Sequence, residues 1–270
     1  MHVRVQACGG PGATGDDPGQ GRGVDARQAV AQLGGVATHA DLLTMVTRHT
    51  VASGFAAGQI IRLARGRYGL VEASQQRRRA VAVSGTLSHL SAAQHHGWAV
   101  KHPPEQAWVT VPRNRKVSRV TQAQVALTYA DLREDEVVDG VTAPLRTVLD
   151  CARKLPFDEA LSVADSALRD GDVTSTELRE AAARTRGRGA REARKVAAHA
   201  DGRAANPFES VLRAIVIESG VLDVVPQHPV PTRTMIFHPD LVDVRRRIAI
   251  EADSWAWHHD QHTHGRDCVR

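Results

Sequence analysis

Between residues 25 and 70 the chain is punctuated so often that only short elements fit. Asp25 and Gln28 make a capping-box pair, and Gly34-Gly35 stops the helix that carries Val30 and Leu33. Thr38 with Asp41 opens a second helix over Leu42, Leu43 and Val46, and Thr47 opens a third over 48–55. From Ile60 to Leu70 the residues alternate around Gly66, the pattern of a two-stranded hairpin. Three short helices and a hairpin in under fifty residues predict a winged helix-turn-helix over 25–75.

Residues 1–24 carry seven Gly and two Pro with little apolar content, so they predict a disordered tail or an over-long start. The middle region, 76–201, reads as mixed α+β. Strands are expected at 106–111 and 125–129, helices at 144–152, 157–168, 174–183 and 189–200, with Arg-rich surface across 184–195. Small and polar residues at Asp201-Gly202 mark a boundary. Beyond it, over 202–270, Asn206 is an N-cap, Pro207 sits at N1 and Glu209 at N3. Leu212, Ile215 and Val216 follow at helical spacing before Gly220. Strands at 235–237 and 247–252, with a turn near Val244-Arg245, complete a β-meander. The expected class is therefore mixed α/β and multidomain, and no fixed-period repeat appears.

A net charge of +5 favours a polyanionic partner, because Lys and Arg neutralise phosphates. Only Lys101, Lys116, Lys154 and Lys195 among the 35 basic residues are not Arg. Arginine suits bidentate phosphate contact, although coding bias in a GC-rich genome explains the skew equally well. No apolar run approaches the ~18 residues a membrane span needs, so no membrane partner is expected. Cys8, Cys151 and Cys268 are odd in number and widely spaced, which argues against a disulfide framework and a CxxC zinc site; a reducing cytoplasm is expected.

The chemistry concentrates near the end of the chain. Strand alternation places Glu251 and Asp253 on one face, opposite Ile248 and Ile250, and a short hairpin brings Asp240 alongside Glu251. Three converging carboxylates suit a hard cation, Mg²⁺ or Mn²⁺, which can supply hydroxide for phosphodiester hydrolysis. Each also has a structural reading. Glu209 fits a capping box, Asp240 after Pro239 shapes a turn, and Asp253 before Ser254 caps a helix. His258, His259, His262 and His264 match no closed tetrahedral spacing and read as a solvated helix face or fortuitous chelator.

Two stretches carry resemblances. His238-Pro239-Asp240, then Arg247-Ile248-Ala249-Ile250-Glu251-Ala252-Asp253, Ser254-Trp255-Ala256-Trp257-His258 and Arg266-Asp267-Cys268-Val269-Arg270, resemble the very-short-patch-repair-like branch of the PD-(D/E)xK nucleases over about 206–270. The resemblance implies a restriction-endonuclease-like α/β core with metal held by Asp240 and Glu251 and, as a third ligand, the Ala252 carbonyl. Asp253 stands where most of that superfamily has Lys. His258 would activate water or donate to the leaving group, Glu209 would supplement the metal site, and Arg266 would contact phosphate or brace the core. Members usually continue past the Arg-Asp motif into a further strand and helix. The chain ends at Arg270, so the core is expected to be truncated with an unprotected edge.

The second stretch joins Gly34-Gly35-Val36-Ala37-Thr38 and Leu42-Leu43 with Thr47-Arg48-His49 and Arg62-Leu63-Ala64-Arg65-Gly66-Arg67-Tyr68. It resembles the winged-helix domain of AbiEi-type abortive-infection antitoxins. Leu87 to Ala93 and Thr142 to Asp150 are similar to the region that follows it in related bacterial proteins, with His89 read as a packing or hydrogen-bonding histidine. The resemblance implies DNA contact by Arg48, His49 and Ser53 on the third helix and by Arg62, Arg65 and Arg67 on the hairpin. Relatives carry more Arg where this chain has Ala56-Ala57. Two functions are implied: a metal-dependent DNA endonuclease with a winged-helix DNA-binding domain, or a non-enzymatic AbiEi-like antitoxin and transcriptional regulator that carries a degenerate nuclease fold and meets a toxin-type protein partner.

Overall fold

The computed structural model describes residues 24–251, a mixed α/β chain. Asp253, His258, Arg266, Ala252, the histidine run and the glycine-rich segment 1–23 lie outside the described residues.

The N-terminal elements form where the caps dictate. Asp25 and Gln28 close a reciprocal capping box on α1 (Ala26–Gln32), as do Thr38 and Asp41 on α2 (His39–Leu43), and Thr47 caps α3 (Arg48–Ala56). The hairpin is β2 (Ile61–Ala64) and β3 (Arg67–Gly69). A third strand, β1 (Val36–Thr38), pairs antiparallel with β3, Val36 opposite Gly69, so the sheet order is β1-β3-β2. Ala26, Ala29, Val30, Leu42, Val51 and Ile60 fill the core between helices and sheet.

The helix α4 (Gln75–Ala82) links this unit to a five-stranded sheet by packing on β2 and on β5. That sheet comprises β4 (Thr86–Leu87), β5 (Ala107–Val111), β6 (Val125–Tyr129), β7 (Val137–Val138) and β8 (Val141–Thr142), in the order β6-β5-β4-β8-β7. The β5–β6 and β4–β8 pairs are parallel and the others antiparallel. Between these strands lie α5 (His89–His95) and the short α6 (Arg119–Gln122). Leu87, Val109, Val111, Val125 and Val141 make one buried sheet face.

The third layer is helical: α7 (Pro144–Lys154), α8 (Phe157–Arg169), α9 (Ser175–Arg184), α10 (Ala190–His199) and α11 (Pro207–Ser219). The helix α8 is buried from Ala160 to Ala167 and serves as the hub on which α7, α10 and α11 pack. An ion pair locks α11 there: Arg213 Nη2 meets Asp165 Oδ2 at 2.5 Å, and Nη1 donates to the His199 carbonyl at 2.6 Å. After Gly220, which ends α11 in the left-handed conformation that glycine tolerates, come β9 (Val225–Pro226), β10 (Val230–Pro231), β11 (Ile236–Phe237), β12 (Leu241–Asp243) and β13 (Ile248–Ile250). The last sheet runs β13-β12-β9, all antiparallel, while β10 and β11 form a separate hairpin.

Candidate functional site

The register of the last sheet assembles the acidic site. Leu241 pairs with Ile250 on one side and with Pro226 on the other. One step beyond that row lie Gln227, Asp240 and Glu251, at the same end of three adjacent strands. The Gln227 backbone N–H confirms the alignment by donating to the Asp240 carbonyl at 3.1 Å. Continuing the β12–β13 register by one residue sets Asp240 opposite Glu251, at neighbouring ends of the hairpin.

Glu209 joins the row from the first turn of α11. It is 4% exposed, and three donors hold its carboxylate: Ala205 N–H to Oε2 (2.9 Å), Asn206 Nδ2 to Oε1 (2.7 Å) and Gln227 Nε2 to Oε2 (3.1 Å). The same Gln227 amide donates to Asp240 Oδ1 at 3.3 Å, so one NH₂ group bridges the two carboxylates. Burial pushes the Glu209 pKa above the ordinary value, the bonds from Ala205 and Gln227 pull it down, and the like charge of Asp240 raises it again. Desolvation wins although each bond to a charged acceptor is worth about 1.5–3 kcal/mol, because a buried carboxylate loses more than that in hydration.

This geometry divides the roles. Asn206 caps α11 by accepting from the Glu209 N–H, but the expected capping box does not close, because the Glu209 carboxylate turns to the Ala205 N–H and to side-chain amides. With three of about four acceptor positions taken, Glu209 orients Gln227 rather than offering a direct ligand. Asp240 and Glu251 lie at the ends of paired strands, and Mg²⁺ in general accepts one or two carboxylates together with water and a substrate oxygen. Among the described residues no group of three His, Cys, Asp or Glu gathers as a metal site. Nearby, Asp243 is fully buried, and hydrogen bonds from the Arg246 and Asp223 N–H groups, with the Arg246 guanidinium, hold its pKa below the usual range. That anchors the β12–β13 turn.

Sequence reasoning missed Gln227. Its part depends on β9 pairing with β12, and strands of two and three residues leave no periodic trace.

In the N-terminal unit, Arg48 and His49 are exposed on the first turn of α3, and His49 Nε2 lies 3.4 Å from Ser53 Oγ one turn along. Arg62 and Arg65 are exposed on the hairpin and Arg67 is half-buried. Phe55 of α3 meets Tyr68 of β3 edge-on at 6.4 Å, which fixes the helix against the hairpin. Gly54 faces α1: a Cβ there would stand 2.3 Å from the Ala26 Cβ. The residue that weakens α3 as a helix is the one that permits this approach. His89, at the start of α5, is buried between Ser88, whose Oγ lies 2.9 Å from Nδ1, and the Trp108 ring at 4.9 Å.

No protein-family model matches the chain. Two uncharacterized proteins of Mycobacterium tuberculosis, Rv2248 of strain H37Rv and MT2308 of strain CDC 1551, are each 34% identical to it over 119 residues, 43% of this chain and 44% of theirs. The match thus spans less than half the length of these relatives. Among solved structures, the Rv2827c protein of Mycobacterium tuberculosis superposes with a TM-score of 0.35 at 13% identity, covering 77% of this chain and 88% of that one. Among the described residues no helix is long and apolar enough to cross a membrane.

Proposed function

We propose that the protein binds DNA through its N-terminal unit and hydrolyses phosphodiester bonds at the Asp240–Glu251 row with a divalent cation, Mg²⁺ or Mn²⁺. The observation that carries the reading is the single Gln227 amide bridging Glu209 and Asp240 in the row that also ends in Glu251. Asp240 and Glu251 would hold the cation, which when bound lowers the pKa of water and offsets charge on the phosphate. Gln227 sets the Asp240 carboxylate, Glu209 sets Gln227, and Asp253 and His258 would move the proton while Arg266 holds phosphate. At the N-terminus, the α-β-α-α-β-β order with sheet β1-β3-β2 supports a winged helix. There α3 would enter a groove with Arg48 and His49, and Arg62, Arg65 and Arg67 would follow the backbone.

Plasmid nicking with Mg²⁺ or Mn²⁺ tests this: wild type should nick, and Asp240→Ala and Glu251→Ala should lose at least about tenfold, since even an orienting partner of a metal ligand is worth about 10- to 100-fold. Equal nicking by all three proteins, or none by the wild type, refutes the catalytic half.

A second reading has one observation in its favour. Glu209 is engaged so fully by Ala205, Asn206 and Gln227 at the start of α11 that a structural role accounts for it. An AbiEi-like regulator with a toxin-type partner and an inert C-terminal unit would show promoter binding without nicking.

A further inference from the structure

From the end of β5 into the first residue of α6 the chain runs Pro112-Arg113-Asn114-Arg115-Lys116-Val117-Ser118-Arg119, and from Gln106 to Ala130 it contains no Asp or Glu. We propose that this loop is a second phosphate-contact surface, which extends the DNA footprint of the N-terminal unit onto the five-stranded sheet. The inference rests on the DNA reading above.

Four observations carry it. Arg113, Arg115, Lys116 and Arg119 are all exposed. Arg113 has a 3.7 Å ion pair to Asp131, whereas among the described residues no carboxylate pairs with Arg115, Lys116 or Arg119. The loop is nevertheless held in shape: Arg115 N–H closes a turn on the Pro112 carbonyl at 2.9 Å, Gln122 Nε2 donates to the Val117 carbonyl at 2.8 Å, and Val117 packs on the sheet core. A loop fixed before binding loses little entropy when it meets a partner. Finally, α4 connects this loop to the basic hairpin. It packs on both β2 and β5, and Arg79 in its last turn reaches the Gln124 carbonyl just beyond α6 at 3.5 Å. The helix is eight residues, about 12 Å, long, so both patches are anchored within a short stretch of one element.

A second arginine-rich stretch, 184–194, contrasts with this one. Arg184 pairs with Glu180, while Arg186 and Arg194 donate to the carbonyls of Ala183 and Thr185. Those side chains brace the α9–α10 connection. In the 113–119 loop three of four cations are Arg, whose fork matches phosphate oxygens.

The test is duplex-DNA binding by the full chain, followed by anisotropy from about 50 to about 300 mM KCl, because each phosphate contact adds about 0.9 to the slope of log K against log salt. The triple variant Arg115→Gln/Lys116→Gln/Arg119→Gln should bind more weakly with a slope shallower by about 2 to 3, and Lys116→Gln alone by about 0.9. Circular dichroism should match the wild type. An unchanged slope in the triple variant, while Arg48→Gln/Arg62→Gln/Arg65→Gln abolishes binding, overturns this proposal and leaves the DNA reading intact. No binding by the wild type overturns both. Loss of binding to phosphatidylserine vesicles in the triple variant, with DNA slopes unchanged, would assign the loop to a membrane surface and overturn the proposal.

Discussion

His89 shows how one residue's environment sets a property of the whole chain. Burial is the main cause pushing its pKa down to about 3, and the positive charges of Lys154, Arg146 and Arg153 add to it. The unfolded chain takes up this proton near pH 6.5 and the folded one does not. The neutral ring therefore contributes stability that is complete above about 6.5 and is lost as pH falls toward 3. Across the whole window the shift corresponds to roughly 5 kcal/mol. His89 has a φ of 50°, a left-handed conformation that Asn tolerates better than most residues. His89→Asn should therefore fold, with lower stability at pH 7. In urea titrations from pH 7 to pH 4 its stability should fall less steeply than the wild type's, by up to about 1.4 kcal/mol per pH unit. Parallel curves would show that another group carries the acid sensitivity. The sequence reading of His89 as a packing or hydrogen-bonding histidine matches its buried place against Ser88 and Trp108. Its proton affinity was not legible in the sequence, since burial, and after it three cations of α7, depress it.

The elements divide by whether their signals are local. The caps of α1, α2 and α3 involve partners three residues apart, so each is readable in the sequence and present in the structure. By contrast, β1 pairs with a strand some thirty residues later, and the N-cap of α5, Ser88, makes no cap hydrogen bond, because its hydroxyl binds His89 and Thr110 instead. Sequence periodicity overlooked both. Gly54 shows the conflict between local and tertiary preference within one helix. Replacing Gly by Ala favours an isolated helix by about 1 kcal/mol. Against that, the new methyl would collide with Ala26, and overpacking typically costs 1–3 kcal/mol. Gly54→Ala is expected to lower stability by about 1 kcal/mol and to weaken DNA binding through a displaced α3. Ala26→Gly in the same chain should restore much of the loss in thermal melts. A Gly54→Ala protein as stable as the wild type would mean that α1 and α3 separate at little cost.

For the whole molecule, the Arg213–Asp165 pair decides where the acidic row sits, because it ties α11, and Glu209 with it, to the buried hub α8. A buried pair of this kind adds modest net stability, but breaking it strands a charge and costs about 3–5 kcal/mol. Arg213→Met should lose that amount in urea unfolding, and Asp165→Leu/Arg213→Met should lose less than Arg213→Met alone. Losses that simply add would argue against the pair as the joint. By itself the sequence determined the starts of the locally capped helices α1, α2, α3, α9 and α11, the mixed α/β class and the order Glu209, Asp240, Glu251. These depend on caps, turns and alternation within a few residues. Tertiary structure alone decided that Gln227 joins Glu209 to Asp240, that α11 docks on α8 and that Gly54 admits Ala26. Strands of two or three residues have too little period to set their own register, and a helix face does not name its neighbour until both are packed.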